Sequence, residues 1–158
     1  MLTLEGIKGA ALKGLRQALD ALLGKPPTLR VGVLEGATND EGESIAEYAA
    51  CNEYGTSEIP PRPFLRSTIA EQAGNWSEMV KGDVAASIRG GRFEGRRALE
   101  RVGRQAQADI QAKIMSNMPP PNAPATAARK AARKGGGYAG TLFDTGAMHK
   151  AIQYEIEE

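Results

Sequence analysis

Apolar residues recur every three or four positions along the first stretch of the chain, where Leu4, Ile7, Ala11, Leu15, Leu19 and Leu22 form one stripe. That spacing predicts an amphipathic helix of roughly six turns. Gly24 followed by Pro26 and Pro27 ends it, because glycine accepts the left-handed cap conformation and proline cannot extend a helix. Leu29 to Leu34 (LRVGVL) is short and partly β-branched and predicts a strand. The acidic, glycine-containing GATNDEGE behind it predicts a loop. Ser44-Ile45-Ala46-Glu47 has the form of a capping box, opening a short helix through Asn52 or Glu53 that Gly55 stops. Pro60, Pro61 and Pro63 make TSEIPPRPFLR an extended, stiff connection.

Thr68-Ile69-Ala70-Glu71 repeats the capping-box form and predicts a long helix up to Gly90-Gly91, with Ile69, Ala73, Trp76, Val80, Val84 and Ile88 inward. A further helix follows, with Leu99, Val102, Ala106, Ile110 and Ile114 inward and Arg96, Arg97, Arg101, Arg104 and Lys113 largely outward. From Ser116 to Thr141 the periodicity lapses. Prolines, alanines, glycines and the pairs Arg129-Lys130 and Arg133-Lys134 predict a flexible basic arm. Strict alternation over Ile152–Glu157 predicts a closing, half-buried strand.

The expected fold is therefore α+β, a single domain over residues 1–158. A small antiparallel or mixed sheet packs against two or three long helices, with the basic arm 116–141 ahead of the C-terminal strand. Two strands alone are marginal, so a third is expected from the arm, from the IPPRPF region or from a neighbouring subunit.

Charge changes the picture only through its distribution, because 20 basic residues nearly balance 19 acidic ones. Between Arg89 and Lys134 there are 11 basic and 3 acidic residues, whereas the remainder carries 9 basic and 16 acidic. Such a split suits contact with an acidic partner, head-to-tail contact between copies, or a solvated face. The single cysteine, Cys51, excludes an internal disulfide and a thiolate cluster, and no segment approaches the length of a membrane span. Glu5, Lys8, Lys13 and Arg16 break up any signal-peptide core, and the protein is expected to be soluble.

The most suggestive chemistry is LFDTGA at Leu142–Ala147, which has the look of an aspartic-protease loop. Aspartic proteolysis needs a second carboxylate sharing one proton, and strands beyond the loop to wall the cleft. Only 12 residues follow Gly146, and no second matching loop exists. Asp144 or Thr145 is better read as the cap of a short helix. His149 has no serine elbow and no companion ligands, so it carries neither a triad nor a metal site. Cys51 reads as a small packed residue, and Gly6, Gly9 and Gly14 follow no strand that would make them a phosphate loop. No catalytic, cofactor or metal residues are assigned. The N-terminal helix lacks the aromatic anchors and single-sign polar face of a membrane-surface helix. The arginine-rich helix and arm lack aromatics for base stacking, which leaves non-specific electrostatic contact with DNA through Arg129, Lys130, Arg133 and Lys134.

Ile45–Arg66 (IAEYAACNEYGTSEIPPRPFLR) resembles the tail-completion, or head–tail joining, proteins of tailed bacteriophages. That family carries an Asn/Val-Glu-Phe/Tyr-Gly-Thr block and then Arg-Pro-Phe-Leu-Arg leading into a long helix. Here these correspond to Asn52, Glu53, Tyr54, Gly55 and Thr56, then Arg62, Pro63, Phe64, Leu65 and Arg66. A closing Leu-x-Asp-Thr-Gly block matches Leu142 with Asp144, Thr145 and Gly146, although Met148 stands where leucine is common. The arm between the helices and that block is long and basic for the family.

The resemblance implies a non-enzymatic structural protein of the virion neck or upper tail, present in the host cytoplasm during assembly. It implies a ring, often a hexamer, around the DNA channel, with the tail terminator, tail tube or head connector as neighbours. An acidic surface of Asp40, Glu41, Glu43, Glu47, Glu53 and Glu58 facing the next copy's basic helix would close such a ring. Phe64 and Leu65 are expected in the core, with Arg62 or Arg66 paired to nearby acids. A DNA-binding or packaging role is the alternative from another class, and a tail terminator the alternative from the same one.

Overall fold

The computed structural model describes residues 27–33, 36–90, 95–132 and 140–157. The N-terminal stripe from Leu4 to Leu22 and the pair Arg133-Lys134 lie outside them. In chain order the elements are β1 (Thr28–Val33), α1 (Ile45–Tyr54), α2 (Phe64–Arg89), α3 (Gly95–Met115), α4 (Pro124–Ala131), α5 (Ala147–Ala151) and β2 (Ile152–Glu157). The class is α+β, a small sheet on helices.

The two strands pair antiparallel, and their alternation explains the register. Leu29, Val31 and Val33 lie opposite Ile156, Tyr154 and Ile152 on one face, while Thr28, Arg30 and Gly32 face Glu157, Glu155 and Gln153 on the other. A slip by one residue would turn the apolar set to solvent, so burial of one face fixes the pairing. On the wet face Arg30 bridges to Glu157 at 2.8 Å. The apolar face lies on α3, where the Tyr154 ring stands over Gly103 with no room for a Cβ. The IPPRPF region and the described part of the arm add no strand. Among the described residues the sheet has two strands, and its support comes from α3.

Helices α2 and α3 form an antiparallel hairpin. Lys113 pairs with Glu71, the Trp76 indole donates to Asp109, and Arg101 pairs with Asp83, so the partners run in opposite senses. The core gathers at one end of this hairpin. There Phe64, Ile110, Ile114, Ile45, Ala49, Met118, Leu142, Met148, Ala151 and Ile152 pack together, with Leu65, Val31, Val33 and Phe143 partly buried against them.

Three expectations need correction. The long helix starts at Phe64, four residues before Thr68, whose hydroxyl is buried and donates back to the Phe64 carbonyl at 2.7 Å. Its inward face runs through Thr68, Gln72, Trp76, Val80 and Val84, leaving Ile69 and Ala73 exposed. Polar groups stand there with partners of their own: Thr68 donates to Phe64 and Gln72 accepts from Asn75 within α2, while the Trp76 indole and Asp83 are paired from α3. The arm, expected to be without regular structure, contains α4, opened by Pro124 in the first helical turn. The short first helix and α3 match their readings. Ser44 caps α1 through the Glu47 amide at 3.4 Å, and Val102, Ala106, Ile110 and Ile114 are buried.

Candidate functional site

The first sequence block folds into a latch between α1 and α2. Glu53 is only 2% exposed, near the end of α1. Its carboxylate accepts from the Leu65 amide at 2.9 Å and the Arg66 amide at 3.0 Å. Those N–H groups belong to the first turn of α2 and have no partner within the helix, so Glu53 caps α2 from another element. Pro63 starts the helix with its carbonyl, which accepts from the Ser67 amide. Arg66 closes the arrangement with Nε on the Glu53 carboxylate and Nη2 on the Glu53 carbonyl, both at 2.9 Å. Its guanidinium also lies 4.8 Å from the centre of the Tyr54 ring, which is otherwise 68% exposed.

Between these helices the chain makes a compact turn. Gly55 has φ 78°, and a Cβ there would come within 2.9 Å of the Ile59 carbonyl oxygen and the Pro61 nitrogen. Thr56 Oγ1 accepts from the amides of Glu58 and Ile59, and Asn52 receives the Arg62 amide on its backbone carbonyl at 2.7 Å. Arg62 is buried, but its partners are not acids. Nε and Nη2 donate to the carbonyls of Pro120 at 2.8 Å and Pro121 at 3.2 Å, on the arm. Phe64, fully buried, anchors in the core as expected.

The second block forms the corner before β2. Gly146 has φ 81° at the start of α5 and lies against the Phe143 ring, and Thr145 Oγ1 accepts from the Ala147 amide at 3.3 Å. The cap expected at Asp144 or Thr145 falls instead on Gly146, which has no side chain to accept from the helix amides. The Thr145 contact belongs to the turn ahead of it, and β2 follows α5 directly. His149 is half-buried and meets the Phe143 ring edge-on. From α3, Gln107 and Gln111 donate to the carbonyls of Ile152 and His149, pinning the junction of α5 and β2.

The arm joins the two blocks. Arg62 of the first holds its start at Pro120 and Pro121. Lys130 on α4 is buried, and its Nζ donates to the carbonyls of Gly140, Thr141 and Phe143 at 2.9, 3.0 and 3.2 Å. Burial lowers the Lys130 pKa below the usual lysine value; Asp144 opposes that effect, while Arg62 and Arg129 add to it.

Between the loop Asn39–Ser44, the first turns of α1, Arg129 and the corner Asp144–Met148 lies a cleft of about 440 Å³. Ile45, Leu142 and Met148 give it an apolar base, and Asp40, Glu41, Glu43 and Asp144 give it carboxylates, with Arg129 as the cation among its lining residues. Asn39 shapes the loop, its Oδ1 accepting from the amides of Glu41 and Glu43. Among the described residues no group of three or more His, Cys, Asp or Glu is placed to hold a metal, and no helix is long and apolar enough to cross a membrane.

Positive charge gathers elsewhere. Arg89 ends α2, and Arg96, Arg97, Arg101 and Arg104 lie along the first half of α3. At about 1.5 Å per residue, Arg97 stands roughly 25 Å along α3 from the core end that carries the cleft. Arg96 and Arg101 are interleaved with carboxylates, at 3.4 Å from Glu100 and 3.0 Å from Asp83.

Comparison with known protein families, curated proteins and solved structures yields no match.

Of the residues singled out from sequence, Asn52, Glu53, Tyr54, Gly55, Thr56, Arg62, Pro63, Phe64 and Arg66 come together in the α1–α2 latch. Asp144, Thr145 and Gly146 form the second corner, and Lys130 ties α4 to it. Glu53 leaves the proposed acidic surface, because it is buried and engaged in capping. Lys130 leaves the proposed DNA contacts for the same reason, and Arg129 lines the cleft instead. The cross-element roles of Glu53, Lys130, Gln107 and Gln111 carried no local signal. The helix in the arm did carry one, in Pro124 ahead of an alanine-rich run.

Proposed function

We propose that this chain is a structural subunit of a tailed-phage virion, a tail-completion protein of the neck that assembles as a ring and joins the head connector to the tail. The observation that carries the reading is the polarity of the molecule. An acidic cleft lies at the core end of the hairpin and arginines gather toward its far end, so head-to-tail contact between copies brings unlike charges together. The resemblance of the two sequence blocks to tail-completion proteins supports it as well, and within the fold their residues serve internal capping and turn contacts. A hexamer, with the tail terminator, tail tube or connector as neighbours, is the assembly this reading implies.

The test is the phage lacking this protein. Complete heads beside complete but unattached tails are expected, and particles with normally joined tails would overturn the reading. In solution, light scattering should show ring-sized assemblies when the neighbouring tail or connector protein is present. A strictly monomeric chain under those conditions also argues against it.

A second reading, non-specific DNA binding, draws on the α3 arginines now that Lys130 is engaged. It predicts affinity that falls steeply with salt and is lost when Arg97 and Arg104 are neutralised.

A further inference from the structure

Only one of the eight residues of α4, Lys130, is buried, so apolar packing does little to hold this helix in place. Its position rests on two cationic side chains of different origin. Arg62 reaches out from the connection between α1 and α2 and holds the carbonyls of Pro120 and Pro121, ahead of the helix. Lys130 reaches in from the helix itself to the carbonyls of Gly140, Thr141 and Phe143. An ammonium group has three N–H donors, and these three acceptors match them in number. The neighbouring Arg129 is carried along and lines the cleft that also contains Asp40, Glu41, Glu43 and Asp144.

We propose that α4 is a releasable strap, latched by Lys130 onto the Gly140–Phe143 carbonyls, whose release withdraws Arg129 from the acidic cleft and opens the cleft to a cationic group from outside. Removing the Lys130 amine, as in Lys130→Met, removes all three hydrogen bonds together, while Arg62 keeps the strap tethered at its start. The proposal stands on the latch geometry and is independent of the virion reading.

The test is hydrogen exchange read by mass spectrometry on the full chain, comparing wild type with Lys130→Met. Amides of α4 should exchange at least tenfold faster in the variant, with those of α3 unchanged. Trypsin cleavage after Arg129 should rise by a similar factor. A tetra-arginine peptide should bind the variant at least tenfold more tightly than wild type. Unchanged exchange in α4 overturns the latch, and so does an equal rise throughout α3 and β2, which would make Lys130 a support of the whole fold. Equal peptide binding overturns the coupling to the cleft. Should the variant fail to fold, acetic anhydride labelling of the wild type decides: acylation of Lys130 at least tenfold slower than of Lys81 supports the latch, and equal rates overturn it.

Discussion

At the core end of the α2–α3 hairpin Phe64, Ile110 and Ile114 are fully buried, whereas from Ile69 to Arg89 no described side chain of α2 is. The same two helices thus carry two different kinds of packing. Near the core, α1, α5 and the strands cover them, and buried polar groups such as Glu53 and Arg62 have internal partners. Farther out, the described side chains of α2 are at most half-buried, while Ala98 and Val102 of α3 stay buried and Tyr154 of β2 covers Gly103. Pairs such as Asp83 with Arg101 at 3.0 Å join the two helices. Burial of α2 is therefore concentrated at one end, while Arg96, Arg97, Arg101 and Arg104 are exposed along the outer half of α3. Local opening should follow that gradient, with exchange fastest toward Arg89 and slowest around Ile110 and Ile114.

Substitutions break or sharpen the contrast in order of size. Phe64→Ala should destabilise by about 3–5 kcal/mol in urea unfolding, because a large ring leaves a packed cavity. Glu53→Gln should cost about 2 kcal/mol, since hydrogen bonds from two helix amides and one face of the Arg66 pair lose a charged acceptor while the shape is kept. Gly55→Ala should cost about 1–3 kcal/mol, through a left-handed backbone conformation and the close Ile59 carbonyl. Out on the hairpin, Val80→Ala should cost about 1 kcal/mol or less, because the side chain is only half-buried. A Val80→Ala loss as large as that of Phe64→Ala would overturn the gradient.

The smallest effect is that of pH on Lys130. Its pKa is lowered by burial, Asp144 acting against this and Arg62 and Arg129 with it. The folded chain therefore releases this proton at a lower pH than the unfolded chain, whose lysine keeps the ordinary value of 10.5. Between those two points the unfolded state holds more protons, so this group's contribution to stability rises with pH. Below the folded value it is flat. Urea titrations of wild type and Lys130→Met from neutral pH to about pH 10 should show the difference shifting in favour of wild type on the alkaline side.

Much of the architecture was legible from local pattern. The alternation of Ile152–Glu157 gave β2, Ser44 and Gly55 bounded α1, and the stripe Val102–Ala106–Ile110–Ile114 gave the buried face of α3, each within one or two residues. These signals are short-range, set by backbone conformation and by periodic burial. The start of α2 was misread because Thr68 and Glu71 imitate a cap. The acid that caps the helix is Glu53, which precedes Leu65 by twelve positions and meets it only after the chain has turned at Gly55. The two family-like blocks were visible as strings, but nothing in them stated that Arg62 would hold Pro120 and Pro121.

What the sequence determined by itself is β1, α1, α3, β2 and the segregation of charge, because propensity, capping and spacing act between near neighbours. What only the tertiary structure decided is the use of individual polar residues. Glu53 and Lys130 look like surface charges in the string and are buried in the fold, one capping a helix and one holding three carbonyls. Desolvating a charge is costly unless partners replace water. Those partners come from chain segments about ten residues away or more, so only folding brings them within hydrogen-bonding reach.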